Sequence, residues 1–176
     1  MSLKNKIEEN LKMALKEKKE LEVSVLRMLK SSVLNKEKDK RYKLIKNKSE
    51  AELEKIGKES KEAEKLEKES WLSDDEVTDT ITSEIKKRKE SVEAFEKGGR
   101  QELVDKEKKE IDILQKYLPE QLSENEIKKL IEESIAQTEA KEIKDMGKVM
   151  SNLNPKIKGK ADMSLVSKIV KEILIK

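Results

Sequence analysis

Apolar residues recur every three or four positions along most of the chain, which is the spacing of one face of an α-helix. The first such stripe consists of Leu3, Ile7, Leu11, Ala14 and Leu15. A second stripe follows, made up of Leu21, Val25, Met28, Leu29 and Val33, and further apolar neighbours widen it. The pattern predicts two amphipathic helices, of which the second is the more deeply buried.

From residue 35 to residue 70 the apolar stripe thins and charged residues dominate. Leu53, Ile56, Ala63 and Leu66 keep a weak helical spacing, so we expect an exposed extra helix over residues 43–70. Its charged face is more typical of a solvated surface than of a binding site. Trp71 follows directly, and we expect this single tryptophan to dock the segment onto the core.

Two long helices joined as an antiparallel hairpin are predicted next. Ser73 and Glu76 form a capping box that starts the first helix, and Gly98-Gly99 ends it because glycine tolerates left-handed backbone. The second helix should stop before Pro119, since proline disfavours a helical residue ahead of it. The sequence thus predicts an N-terminal helical domain over residues 1–118.

The remaining residues, 119–176, predict a small C-terminal three-helix tail domain. Ser123 begins the first helix with another capping box, Asn154-Pro155 ends the second, and Asp162 caps the third. The predicted fold class is therefore all-α, with a domain of long helices followed by a compact bundle.

Composition agrees with this prediction and excludes several kinds of site. Of the 176 residues, 45% are charged and 34% hydrophobic, which is typical of long helices with narrow apolar stripes. Cysteine and histidine are absent, so thiolate chemistry, the commonest general base and the usual zinc ligands are excluded. Phosphate-binding loops and nucleophile elbows are absent as well. We predict no catalytic residue, no metal site and no cofactor.

The N-terminal residues and the hydropathy pattern bear on location. Acidic residues precede any apolar run near Met1, so we expect no signal peptide. No apolar run approaches the roughly 20 residues that span a bilayer. We therefore expect a cytoplasmic protein that does not enter a membrane.

Charge divides the tail into two parts. Residues 120–140 carry six acids and two lysines, whereas residues 141–176 carry nine lysines and four acids. The lysines concentrate around two glycines, where a missing side chain lets a phosphodiester backbone approach and lysine supplies the opposing charge. The candidate RNA-binding residues are Gly147, Lys148, Lys156, Lys158, Gly159 and Lys160, with Lys168 and Lys171 at the edge.

The same residues also fit a purely structural role. Gly147 then permits close helix packing, Gly159 makes a turn, and the lysines are merely solvated. Aromatic residues are absent after Tyr117 and arginine is absent after Arg100, so neither base stacking nor bidentate guanine recognition is expected from the tail. If RNA binds there, it should be held through its backbone, 2′-hydroxyls and shape.

Several short stretches, in order along the chain, carry a family resemblance. They are Leu26-Arg27-Met28-Leu29, Leu72-Ser73-Asp74-Asp75-Glu76-Val77, Glu84-Ile85-Lys86-Lys87-Arg88-Lys89-Glu90-Ser91, Phe95-Glu96-Lys97-Gly98-Gly99-Arg100, Tyr117-Leu118-Pro119-Glu120-Gln121-Leu122-Ser123, Asp145-Met146-Gly147-Lys148-Val149-Met150 and Lys158-Gly159-Lys160-Ala161-Asp162. With them the chain resembles the YqeY-like proteins of the GatB/YqeY family. The stretch from residue 43 to residue 70 is longer than is usual there.

The resemblance implies an all-helical fold whose tail is similar to that of the B subunit of tRNA-dependent amidotransferase. In that subunit the tail helps to hold the tRNA substrate. Family naming attaches carbon–nitrogen ligase activity with glutamine as amido-N-donor. The B subunit's catalytic domain and the amidase subunit have no counterpart here, so whether the protein is an enzyme stays open.

Three hypotheses follow from the sequence. The leading one is a non-catalytic protein whose tail contacts tRNA or another structured RNA. The alternative is a protein–protein adapter for amidotransferase subunits or an aminoacyl-tRNA synthetase, favoured if the hairpin of residues 73–118 exposes an apolar face. The third is an amidotransferase component with transfer activity of its own.

Overall fold

A computed structural model describes residues 1–46, 48–49, 52–53, 56 and 61–175, and within them the predicted all-helical class is confirmed. The contacts divide the chain into two compact units, Met1–Tyr117 and Leu118–Lys176. The first unit contains α1 (Leu3–Lys16), α2 (Glu20–Lys46), α3 (Lys61–Ser70), α4 (Asp74–Lys97) and α5 (Gln101–Gln115). The second contains α6 (Glu124–Thr138), a 3-10 turn (Ile143–Asp145), α7 (Met146–Ile157) and α8 (Met163–Leu174).

Helix α2 is the centre of the first unit and packs against α1, α3, α4 and α5. Its buried apolar residues are Val25, Leu26, Leu29 and Val33. Met28 was predicted to face the core but is 46% exposed. Successive helical residues point about 100° apart, so Met28 lies beside the buried stripe rather than on it.

The helix ends follow the capping chemistry of the sequence. Complete capping boxes begin α4 at Ser73 and α6 at Ser123, as predicted. After α4, Gly99 has a φ of +65°, and the Arg100 N–H donates to the Phe95 carbonyl at 3.0 Å. A left-handed residue with this hydrogen bond is a common helix end, so the expected role of the glycine pair is confirmed.

The helix pair α4 and α5 buries three charged side chains, Glu84, Arg88 and Glu110. Arg88 Nε donates to Glu110 Oε2 at 3.0 Å, and its Nη1 donates to Glu84 Oε2 at 3.2 Å. All three residues are buried, and Ser32 of α2 donates a further hydrogen bond to Glu84 at 3.2 Å. One guanidinium thus connects two carboxylates across the helix pair, and the network reaches α2.

A third buried carboxylate, Glu37, lies in α2. Lys4 Nζ of α1 donates to both of its oxygens, at 2.8 and 3.0 Å. The Leu72 N–H, just before α4, donates to the same carboxylate at 3.1 Å. Glu37 therefore holds three separate segments of the first unit together, and no apolar pattern in the sequence predicts this role.

The structure describes part of the segment from residue 43 to residue 70, over which an exposed extra helix was predicted. Part of that prediction falls on residues 47, 50–51, 54–55 and 57–60, which lie outside the described residues. Within α3, Ala63 and Leu66 are buried, and the helix packs against α2. Trp71, which was predicted to dock the segment onto the core, is only partly buried. Its side chain is 50% exposed, and Lys4 Nζ lies 5.5 Å from the centre of its ring.

Helix α7 continues through Pro155 to Ile157, whereas Asn154-Pro155 was predicted to end it. Proline lacks an N–H, so the carbonyl of Ser151 loses its helical partner. Both Ser151 and Pro155 are exposed, which leaves that carbonyl accessible to water. Pro155 lies in the last turn of α7, two residues before the helix ends at Ile157.

The buried charge network makes a prediction about stability. Replacing Arg88 with Ala leaves Glu84 and Glu110 buried without their shared cation, and we expect a loss of about 3–5 kcal/mol in the free energy of unfolding. The matched control is Lys108→Ala, which removes an exposed pair with Glu96 and should cost about 0.5 kcal/mol or less. Urea unfolding of the full chain measures both, and similar losses would contradict the assigned role of Arg88.

The same network predicts a pH dependence. Burial works to raise the pKa of Glu84, but hydrogen bonds from Lys87, Ser32 and Arg88 outweigh it and hold this pKa below its ordinary value of 4.5. A lowered carboxylate pKa contributes stability above the unfolded-state pKa and loses it as pH falls through the folded-state pKa. Between about pH 5 and pH 3, Glu84→Gln should therefore lose less stability than the unchanged protein. Parallel stability curves from urea unfolding at several pH values would refute this.

Candidate nucleic-acid interface

The second unit places its candidate residues around one apolar core. Buried side chains of α6, α7 and α8 form this core, and Ile131, Val149, Leu153 and Val166 are among those fully enclosed. Leu122, Met146, Met150 and other partly buried residues pack against it. Because the core sets which face of each helix turns inward, it also decides which lysines reach solvent.

The turn between α7 and α8 carries three candidate residues. Lys158 follows the last residue of α7, and Gly159 has a φ of +69°. The Lys160 N–H donates to the Ile157 carbonyl at 2.8 Å, which closes the turn. A left-handed backbone favours glycine, so Gly159 is required by the turn itself. The side chains of Lys158 and Lys160 are exposed on either side of it.

Two hydrogen bonds from the segment before α6 hold this turn in place. Gln121 Nε2 donates to the Gly159 carbonyl at 2.7 Å, and the Leu122 N–H donates to the Lys160 carbonyl at 2.8 Å. Gln121 Nε2 also donates to the Pro119 carbonyl at 2.9 Å. No feature of the sequence singles out Gln121, because its contact joins residues 38 positions apart.

Gly147 and Lys148 lie at the other end of α7. No described atom outside the local backbone comes within 4 Å of the position that a Cβ of Gly147 would occupy. Close helix packing therefore does not explain this glycine. The side chain of Lys148 is 71% exposed and pairs with Asp145 at 3.0 Å. That hydrogen bond, together with one from the Lys141 N–H, lowers the pKa of Asp145, so an anion partly neutralises Lys148.

Lys156 has a structural role within the tail. Its Nζ donates to Gln137 Oε1 at 3.0 Å and to Asn152 Oδ1 at 3.1 Å. Asn152 Oδ1 also accepts from the buried Ser134 hydroxyl at 3.1 Å. These bonds connect α6 to α7, and they make the half-buried Lys156 less available to a ligand than the sequence pattern predicts.

Lys168 and Lys171 are both exposed on α8. They stand three residues apart, which places them on the same side of the helix. Val166, Ile169 and Val170 face the core from the opposite side. Glu172 is an exposed acid beside them, so this part of the surface is less strongly basic than the turn at Gly159.

The candidate residues do not form one cluster. Gly147 and Lys148 are separated from Lys158 and Lys160 by the length of α7, about 16 Å at 1.5 Å per residue. Half of the exposed acids in the described part of the tail lie on α6, at Glu124, Glu126, Glu132 and Glu133. The basic positions thus follow α7, the turn and α8, an arrangement that suits an extended polyanion better than a small ligand.

Neither a metal-binding group of side chains nor a membrane-spanning helix is found among the described residues. No group of three or more acidic side chains is arranged there to hold a metal ion. Every helix in the described ranges is also too short or too polar to span a lipid bilayer.

We expect replacement by alanine to have opposite effects on stability at the two glycines of the tail. Gly147→Ala meets no steric conflict in a helix and should raise the free energy of unfolding by about 0.5 kcal/mol. Gly159→Ala forces a side chain into left-handed backbone and should lower it by about 1–2 kcal/mol. Urea unfolding of the full-length variants checks both signs, and a loss of stability in Gly147→Ala would mean that packing constrains this residue after all.

Comparison with known proteins gives two results. A curated relative, "Altered inheritance of mitochondria protein 41, mitochondrial" from Pyrenophora tritici-repentis (strain Pt-1C-BFP), is 32% identical over 105 residues. The match covers 58% of this chain and 58% of the relative, so little more than half of that protein is represented. The family model described as Yqey-like protein matches residues 50–174, which include α3 to α8. The chain therefore belongs to the Yqey-like protein family.

Proposed function

We propose that the second unit binds structured RNA, with tRNA as the first candidate. Membership of the Yqey-like family supports this, together with the resemblance of the tail to that of the amidotransferase B subunit. The proposal concerns binding alone. The chain has no histidine or cysteine, and we assign it no catalytic residue and no carbon–nitrogen ligase activity of its own.

The observation that carries the proposal is the turn at Gly159. Its backbone conformation is fixed by a positive φ and by hydrogen bonds from Gln121 and Leu122. Lys158 and Lys160 flank a glycine that has no side chain to obstruct a phosphate group. A turn that is already ordered loses little conformational entropy when it binds.

The mode of binding follows from the side chains that the tail offers. Lysine is a compact point charge that suits phosphates, whereas arginine and aromatic residues, which read or stack on bases, are absent after Tyr117. We therefore propose contacts to the RNA backbone and 2′-hydroxyls, recognised through shape. Lys168 and Lys171 extend the contact along α8, and Lys148 contributes less because of Asp145.

The adapter hypothesis places the partner on the long N-terminal helices, and an exposed apolar face on the hairpin that α4 and α5 form would favour it. The large apolar side chains that are well exposed in the described part of the first unit lie at Met1, on α1, on α2, at Leu53 and at Trp71. The hairpin therefore does not supply the apolar face that would favour this hypothesis, and an adapter for amidotransferase subunits or an aminoacyl-tRNA synthetase stays the second proposal.

A cytoplasmic location also stays a prediction. The name of the curated relative assigns that protein to mitochondria. Antibody detection of the native protein in cell fractions tests the location directly, and recovery in an organelle fraction would contradict it.

The central prediction is that Lys158→Glu/Lys160→Glu binds bulk tRNA much more weakly than the unchanged protein. The salt dependence of its affinity, as a log–log slope, should fall by about one for each lysine that contacts a phosphate. Lys156 is left unchanged because its hydrogen bonds support the fold. Filter binding or fluorescence anisotropy at about 50 mM and 200 mM salt measures both quantities.

The control variant is Lys128→Glu/Lys129→Glu, which makes the same charge change on the acidic helix α6. It should leave the affinity for tRNA nearly unchanged if the turn is the contact. Equal losses in the two variants would mean that only net charge matters. Unchanged binding in the Lys158/Lys160 variant would reject the turn as the RNA site.

A further inference from the structure

The second half of α2 carries a strongly basic surface that the tail hypothesis does not use. Residues 36–46 contain six basic residues and two acids. One of those acids, Glu37, is buried against Lys4, and one of the bases, Lys40, is paired with Glu76. Most of the remaining charge is therefore positive and faces solvent.

An exposed aromatic ring lies in the middle of this charge. Tyr42 is 66% exposed, the most exposed aromatic side chain in the described residues. Lys38 and Lys46 precede and follow it by four residues, so they lie on the same side of the helix. None of its cationic neighbours, Lys38, Arg41, Lys43 and Lys46, forms an ion pair with another described residue. We call the face formed by Lys38, Arg41, Tyr42, Lys43 and Lys46 the α2 surface.

Neither burial in the core nor a contact with another described residue explains the position of the Tyr42 side chain. Tyr117, by contrast, is buried, and its hydroxyl accepts a hydrogen bond from Asn10 at 2.8 Å. Trp71 has Lys4 over its ring. Tyr42 has no such contact with a described residue, so its ring is free to meet a ligand.

The distribution of apolar residues argues against a lipid surface as the ligand. A helix that lies in a membrane interface needs a continuous apolar face. Leu44 follows Tyr42 by two residues, and at about 100° per residue it points roughly 200° away. Ile45, three residues after Tyr42, lies on the side of the ring but is half-buried, and the exposed Asp39 lies there too. The α2 surface therefore has no continuous exposed apolar face to insert.

We propose that the α2 surface binds single-stranded RNA, with an unpaired base stacked on Tyr42 and the neighbouring cations on the flanking phosphates. Aromatic rings within a basic surface are the usual means by which proteins hold single strands, because every base has a face that stacks. The tail, which has no aromatic residue, binds differently. The α2 surface also precedes residues 50–174, the part that the family model matches.

The α2 surface lies in the first unit and needs no contribution from Lys158 or Lys160. The two binding modes can therefore be separated in the full-length chain. The probe is a labelled single-stranded RNA of about 12 nucleotides. Fluorescence anisotropy measures its binding to the full-length chain that carries Lys158→Glu/Lys160→Glu. Binding should persist in this background, and its absence at low salt would overturn the proposal.

Substitution of Tyr42 tests stacking. Tyr42→Ala should weaken binding of the probe about tenfold, whereas Tyr42→Phe, which keeps the ring, should stay within about twofold. On an abasic oligomer of the same length, Tyr42→Ala should have no effect, because there is no base to stack. Equal affinities of the Ala variant and the unchanged protein for the normal probe would overturn the proposal, as would an equal loss on the abasic oligomer.

Charge substitutions and vesicles complete the experiment. Lys38→Gln/Lys43→Gln should reduce the salt slope of probe binding by about two, and the matched pair Lys106→Gln/Lys109→Gln on α5 should not. Phosphatidylcholine vesicles containing phosphatidylserine serve as the competing ligand. If they bind in a Tyr42-dependent manner and the RNA does not, the partner is a membrane and the proposal is wrong. Circular dichroism confirms that each variant is folded.

Discussion

The paired burial of charge is the constraint on which the first unit depends. With 45% of residues charged, the apolar stripes are too narrow to fill every contact between packed helices. Arg88 forms ion pairs with Glu84 and Glu110, and Lys4 forms an ion pair with Glu37. In the described residues no buried side-chain nitrogen or oxygen lacks a hydrogen-bond partner. Such networks add little net stability but penalise any arrangement that separates their members.

The second unit uses charge in the opposite way. Its core cluster is apolar, and its lysines lie mostly on the outer faces of α7, the turn and α8. At the candidate site the fold orders the backbone instead of burying ion pairs. Hydrogen bonds from Gln121 and Leu122 hold the turn at Gly159 in place. An ordered backbone with exposed cations on it is well suited to a polyanion whose phosphates it meets in series.

The candidate site shows how much of a binding surface the spacing of residues along the chain can predict. Lys158, Gly159 and Lys160 are neighbours in sequence and remain neighbours in the turn. Lys156 follows the same pattern, yet its ammonium bridges α6 and α7 through Gln137 and Asn152. Tyr42 was not identified at all, because nothing in the sequence shows that its ring projects from α2.

The sequence by itself determined the all-helical class, the capped starts at Ser73 and Ser123, and the separation of acids from lysines in the tail. These features depend on local periodicity and on capping groups a few residues apart. Only the tertiary structure decided that Arg88 bridges Glu84 and Glu110, that Trp71 is half exposed and that α7 passes through Pro155. It alone also brought Gln121 to Gly159, because such contacts join residues that are distant in sequence and depend on how the helices pack.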